Sequence, residues 1–143
     1  MKRQLSFSKK ILNSLWIVSL LFISMHLQAQ NVPEKDVINT TGGPAEITFI
    51  GHGSLMIVYQ GTVVHVDPFS QLTDYTLLPK ADLILITHEH GDHLDLKAIQ
   101  AIKKDKTQLY YTEKCAGTLS GGIVMHNGDS QLFGPFKIEA VPA

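Results

Sequence analysis

The sequence predicts an α/β sandwich, a fold in which strands and helices alternate along the chain. Short apolar and β-branched runs recur between positions 45 and 141, separated by turn residues and by one helical pattern. The run at residues 82–87 is apolar almost throughout, which is typical of a strand covered on both faces. The 143 residues are 44% hydrophobic and 17% charged, so we expect one globular domain.

The first predicted elements are strands. Residues 46–50 alternate polar and apolar side chains, and residues 54–59 and 62–67 form two further apolar runs. Gln60 and Gly61 separate these two runs, a spacing that predicts a β-hairpin with a tight turn.

A polar loop and a helix follow residues 82–87. Asp95 is a good helix N-cap, and beyond it Leu96, Ile99 and Ile102 fall on one helical face. The opposite face is polar and carries Lys97, Gln100, Lys103 and Lys104. Later, residues 107–112, 123–125 and 136–141 predict strands, residues 113–119 a short helix or turn, and residues 127–129 a turn.

The N-terminus has the order of an export signal. Four basic residues lie within the first ten positions, an apolar run follows, and Ala29 offers a small residue before a cut. We expect residues 1–29 to be a cleaved signal peptide and the protein to be periplasmic or secreted. The alternative is an uncleaved anchor that tethers an interaction domain to the membrane. Residues 30–44 are interpreted as a polar leader, with the domain beginning at residue 45.

The mature chain is acidic. Without residues 1–29 it keeps eight lysines and no arginine against thirteen acidic residues, a net charge of −5. Such a balance argues against nucleic-acid binding. Cys115 is the only cysteine, so we expect a small buried hydrophobe with no internal disulfide.

The strongest chemical signal is a cluster of ligand-type residues after the run at 82–87. His88, His90, Asp92 and His93 have the spacing H-x-H-x-D-H. An extended backbone sends residues 88 and 90 to the same side, where both imidazoles can reach one ion. Gly91 lets the backbone bend, so that Asp92 and His93 can face a second ion. The alternative is a solvated loop that happens to be rich in histidine.

Five more residues bear on the site. Asp67 could hold a ligand histidine in place, or could form an Asp-Pro turn with Pro68. His52 lies between two glycines and could approach the site or the substrate, or could be an ordinary loop residue. We expect His65 on the polar face of a strand, His126 at the surface and Glu89 in solvent.

The cluster resembles the metal-binding signature of the metallo-β-lactamase superfamily. Residues 48–54 (TFIGHGS), 64–68 (VHVDP) and 84–88 (ILITH) are similar to the branch that contains ascorbate-phosphate lactonase-like and phospholipase D-like hydrolases. The resemblance covers about residues 45–143. It implies a four-layer αββα sandwich, with His88 and His90 on one metal ion and Asp92 and His93 on the other.

The resemblance also implies a reaction. A metal-bound hydroxide would attack an ester, lactone, amide or phosphodiester of a small molecule, and Asp92 would orient it or accept its proton. We expect one or two zinc ions, although manganese or iron would accept the same ligands. The superfamily completes its site with ligands from the second half of the fold, and this sequence stops in a strand-like context before them. We therefore expect residues 45–143 to be an N-terminal half. The alternative is a truncated, non-catalytic metal-binding module.

Overall fold

A computed structural model describes residues 33–142 and contains one α-helix, two 3₁₀ turns and nine strands in that range. The expected signal peptide lies outside the described residues. The strands are β1 (Glu34–Thr40), β2 (Gly43–Gly51), β3 (Ser54–Tyr59), β4 (Thr62–Val66), β5 (Leu83–Ile86), β6 (Gln108–Thr112), β7 (Ile123–Met125), β8 (Ser130–Phe133) and β9 (Phe136–Glu139), and the helix is α1 (Leu96–Ile102). The 3₁₀ turns are Tyr75–Leu77 and Glu113–Gly117.

Seven strands form one mixed sheet in the order β1-β2-β3-β4-β5-β6-β7. Strands β1 to β4 run antiparallel to one another, whereas β4 to β7 run parallel. The parallel strands are joined by longer connections, one of which contains α1. Parallel neighbours end at the same edge of the sheet, so the loops that follow β4 and β5 lie next to each other.

The sheet is covered on both faces. Ile84 and Ile86 of β5 belong to a core with α1, whereas Leu83 and Leu85 contact a second core under the β8-β9 hairpin. The apolar run at residues 82–87 is thus a strand with two buried faces, as predicted. The mixed sheet between a helix and a hairpin is the α/β architecture that the sequence indicates.

The region interpreted as a polar leader is part of the sheet. Strand β1 pairs with β2 from Glu34 opposite Phe49 to Thr40 opposite Gly43, so the leader prediction was wrong for residues 34–40. All seven residues of β1 are exposed. This strand is held by backbone pairing to β2, and it lacks the hydrophobic pattern that signals a strand.

The hairpin of β3 and β4 forms as predicted, with Tyr59 opposite Thr62. Gln60 and Gly61 have φ angles of 48° and 76°. Positive φ at both central positions is what a tight turn between right-twisted strands requires.

Helix α1 begins where the sequence indicates. The Asp95 carboxylate accepts hydrogen bonds from the backbone N–H groups of Lys97 and Ala98. The buried face consists of Ala98, Ile99 and Ile102, whereas Leu96, which the sequence places on the same face as Ile99 and Ile102, is 52% exposed. Leu96 is the first residue of the helix. No helix within residues 33–142 is long and apolar enough to span a membrane.

His65 differs from its predicted position on a polar strand face. It is fully buried, pairs in register with Ile84, and its ring centroid lies 6.0 Å from that of Tyr75. The Nε2–H group donates to the Pro79 carbonyl at 3.0 Å, and Nδ1 has no hydrogen-bond partner within the described residues. The segment that contains Tyr75 and Pro79 covers His65. The alternation of polar and apolar residues within β4 cannot predict this contact with a later segment.

Burial of His65 makes stability depend on pH. Burial lowers the pKa of His65, and the bond to the Pro79 carbonyl offsets only part of that effect. The folded protein holds the ring neutral, whereas the unfolded chain takes up a proton below about pH 6.5. We therefore expect the free energy of unfolding to fall as pH drops below about 6.5, by up to about 1.4 kcal/mol per pH unit.

Urea unfolding of the metal-free protein between pH 5 and 8 measures this dependence. The His65→Gln variant can still donate to Pro79 but does not titrate, so it should show a shallower slope below pH 6.5. His126→Gln, at an exposed histidine, should keep the original slope. An unchanged slope in His65→Gln would contradict the assignment.

Candidate metal centre

The centre lies at the carboxyl ends of β4 and β5. Asp67 follows β4 and Thr87 follows β5. The strands stay in register to their ends, where the Asp67 N–H donates to the Leu85 carbonyl at 2.9 Å and the Thr87 N–H donates to Asp67 Oδ1 at 2.8 Å. This edge is where open α/β sheets place their sites.

Asp67 organises the centre. It is 3% exposed and lies in the left-handed region with φ 44°. Its Oδ2 accepts hydrogen bonds from the Thr87 hydroxyl at 2.6 Å and from His93 Nδ1 at 2.8 Å. Of the two interpretations that the sequence left open, the structure therefore favours the one in which Asp67 holds a histidine in place.

These contacts fix the hydrogen positions on two histidines. A carboxylate only accepts, so the single hydroxyl hydrogen of Thr87 points to Asp67. His88 Nδ1, 2.9 Å from Thr87 Oγ1, then carries the hydrogen of that contact. His93 Nδ1 likewise carries a hydrogen toward Asp67. In its neutral form each ring therefore presents an unprotonated Nε2, the form in which histidine binds metals.

The loop folds back so that its histidines meet. The N–H groups of His93 and Leu94 donate to the His90 carbonyl at 2.9 and 2.7 Å, which closes a helical turn. The ring centroid of His88 lies 3.9 Å from that of His93 and 4.8 Å from that of His90. Gly91 is outside the left-handed region, and a Cβ there would meet no atom within 4 Å, so the turn does not need a glycine.

His52 reaches the same place from the turn between β2 and β3. Its Nε2 lies 2.9 Å from Asp92 Oδ2, and that oxygen lies 3.8 Å from His93 Nε2. A Cβ on Gly53 would come within 2.9 Å of His93 Cε1, so the close approach depends on glycine. The structure thus places His52 at the site, the first of its two predicted alternatives.

The described residues contain two groups of potential metal ligands, each with ligand atoms within 4.8 Å of one another. The first group is His52, Asp92 and His93. The second group is Asp67, His88 and His93. Asp92 and His93 share the first of these groups. His90 is exposed and belongs to neither group, although its ring lies next to that of His88.

Asp92 has the charge state of a metal ligand. A hydrogen bond from its own backbone N–H holds the pKa of its carboxyl below the usual value, and the His52 hydrogen bond lowers that pKa further. Asp92 is therefore a carboxylate at neutral pH.

Three other residues considered in the sequence, His126, Glu89 and Cys115, lie outside the centre. His126 is exposed, with Nδ1 3.9 Å from Glu113, and Glu89 lies 3.6 Å from Lys114. Cys115 is a free, buried thiol in the core under α1, as expected. The sequence analysis did not identify Thr87, which links Asp67 to His88. Its position could have indicated this role, because a hydroxyl residue stands directly before the first histidine at the end of a buried strand.

Comparison with known proteins fits this arrangement. The sequence model of the beta-lactamase superfamily domain matches residues 46–143. The chain belongs to this superfamily. Metal-dependent hydrolases of Desulforamulus reducens and Pelotomaculum thermopropionicum are 30% and 38% identical to it over 105 and 109 residues, in both cases 68% of the chain and 46% of the relative.

A solved structure supports the superfamily fold. A candidate metal-dependent hydrolase from Parabacteroides distasonis is 50% identical, with a TM-score of 0.74 over 78% of this chain and 51% of its own. This superfamily member thus spans about half the length of the relatives that it matches.

Proposed function

We propose that the protein is a metal-dependent hydrolase that cleaves an ester, lactone, amide or phosphodiester in a small molecule. The observation that carries this proposal is the Asp67 hydrogen-bond network. Asp67 orients His93 directly and His88 through Thr87. Each ring, in its neutral form, then presents an unprotonated Nε2. A buried carboxylate that holds two histidines in this way is typical of a metal centre.

The donor set fits a metal ion. Imidazole nitrogens and one carboxylate are ligands that zinc accepts, and manganese or iron would accept them too. We assign His88 and His90 to one ion and Asp92 and His93 to a second. When bound, zinc lowers the pKa of a coordinated water to about 7 and polarises the group under attack.

The protein's own residues have separate roles in this proposal. Asp67 and Thr87 keep His88 and His93 in one tautomer and one orientation. Asp92 is ionised at neutral pH and 44% exposed, so it can accept the proton that the attacking water loses. His90 is exposed and its ring lies 4.8 Å from that of His88, so it is accessible to an ion that His88 binds.

The matched relatives extend beyond this chain, which covers 46% of two of them. We propose that the remaining ligands come from the part of the fold that those relatives add, or from a partner chain. Without them, we expect weak metal binding and slow turnover.

Metal removal and restoration test the proposed function. The purified protein is analysed for metal content, stripped with a chelator, and assayed on chromogenic esters, lactones, amides and phosphodiesters before and after addition of Zn²⁺, Mn²⁺ or Fe²⁺. When the remaining ligands are present, we expect one or two equivalents of metal, and activity that is lost on stripping and restored by one of the ions. Metal binding without hydrolysis of any of the four classes would favour a non-catalytic metal-binding module.

We also propose export, because basic residues precede an apolar run that ends near Ala29. The intact mass of protein recovered outside the cytoplasm checks this in the same preparation. Loss of 29 residues is the expected result, and full-length protein held in the membrane would indicate an uncleaved anchor.

A further inference from the structure

We propose that His52 joins Asp92 and His93 as a direct ligand of the second metal ion. This role is additional to the ligands in the loop after β5, because His52 comes from the turn between β2 and β3. The inference rests on the metal dependence proposed above but does not require that the protein hydrolyse anything.

The distances suit a shared ion. Two ligand atoms of one tetrahedral zinc ion lie about 3.3 Å apart, given metal–ligand bonds of about 2.0–2.1 Å. Asp92 Oδ2 lies 2.9 Å from His52 Nε2 and 3.8 Å from His93 Nε2, distances that bracket this value. All three ligand atoms lie within 4.8 Å of one another.

Each of the three side chains can offer a lone pair at this point. His93 holds its hydrogen on Nδ1, facing Asp67, so its Nε2 is free. Asp92 is ionised. The side chain of His52 is 52% exposed, so its hydrogen can reside on Nδ1 in contact with water while Nε2 turns to the ion.

The backbone around His52 is specialised for this approach. His52 has φ 49°, in the left-handed region that favours glycine. The preceding residue, Gly51, also has a positive φ, of 135°. Such conformations are unfavourable for residues other than glycine and are concentrated at functional sites. Gly53 leaves room for His93, because a Cβ there would lie 2.9 Å from His93 Cε1.

The rival interpretation is that His52 only donates a hydrogen bond to Asp92. Both roles predict weaker metal binding when His52 is removed, so affinity alone does not separate them. A ligand contributes to the electronic spectrum of the bound ion, whereas a hydrogen-bond donor outside the coordination sphere leaves the number of ligands unchanged.

Cobalt titration separates the two roles. Metal-free wild-type protein, His52→Asn and His126→Asn are titrated with Co²⁺ while the visible absorption bands are followed, and a competing chelator gives each affinity. Asparagine tolerates the left-handed region, so His52→Asn should keep the turn but cannot reach the ion. Urea unfolding of the metal-free variants checks that each is folded.

We expect His52→Asn to weaken one Co²⁺ site at least about tenfold and to change the position or intensity of its bands. His126→Asn should match wild type, because His126 lies outside the centre. Unchanged bands with lower affinity would assign His52 to positioning Asp92 and would overturn direct ligation. Unchanged bands and affinity, or no Co²⁺ binding by wild type, would also overturn it, whereas failure to hydrolyse a substrate would bear only on the proposed function.

Discussion

Replacing both His88 and His90 with alanine is expected to remove the metal ion that we assign to these two histidines. The two rings lie 4.8 Å apart, and His88 also lies 3.9 Å from His93, so the double variant removes two of the three rings of the cluster. Loss of two nitrogen ligands should weaken binding by at least about a thousandfold, since disturbing only the groups that hold a ligand typically costs 10–100-fold. Elemental analysis after dialysis measures the loss, and hydrolysis should disappear with the metal.

A suitable control is His126→Ala, which removes a histidine outside the centre. The free energy of unfolding of the metal-free double variant should stay within about 0.5 kcal/mol of metal-free wild type, because His88 is only partly buried and His90 is exposed. Full metal content in the folded double variant would show that the ion is held elsewhere.

The second large effect is expected at Asp67, where one change should reduce both metal affinity and stability. Asp67→Ala removes the acceptor for the Thr87 N–H, the Thr87 hydroxyl and His93 Nδ1. A buried donor that loses its acceptor costs about 1–3 kcal/mol, but Thr87 is exposed enough for water to replace part of its lost bonds, so we expect the free energy of unfolding of the metal-free protein to fall by about 2–4 kcal/mol. Metal affinity should fall about 10–100-fold, because His88 and His93 lose the contacts that orient them.

Asp67→Asn separates these two effects. Its amide oxygen can still accept from the Thr87 N–H, but its NH₂ group cannot accept from His93. The asparagine variant should therefore recover part of the lost stability while its metal affinity stays low. Asp36→Ala, at an exposed position of β1, controls for loss of an acidic residue. Wild-type metal affinity in both Asp67 variants would contradict an orienting role for this carboxylate.

The core of the fold and the histidine-rich loop after β5 could be predicted because short stretches of sequence determine them. The buried strand β5 is a continuous apolar run, and His88, His90, Asp92 and His93 lie within six consecutive positions. The hairpin of β3 and β4 is marked by Gln60 and Gly61, whose positive φ angles suit its tight turn. In each case a short window contains the physical cause of the structure.

What the sequence could not decide depends on contacts between distant segments. His52 and Asp92 are 40 positions apart, and Asp67 and His93 are 26 apart, so only the finished sheet edge brings them together. His65 alternates with two valines in a way that suggests a polar face, but a later segment with Tyr75 and Pro79 covers it.

The position of strand β1 at the edge of the sheet has a consequence for association between copies of the protein. It is the outermost strand of the seven-stranded sheet among the described residues, and it is exposed along its length, including Val37 and Ile38 at 59% and 51%. An outer strand with apolar side chains can recruit a strand from another molecule and so start aggregation. Glu34, Lys35 and Asp36 place three charges at its beginning, where a recruited strand would have to desolvate them. We expect these charges to oppose association between copies at this edge of the sheet.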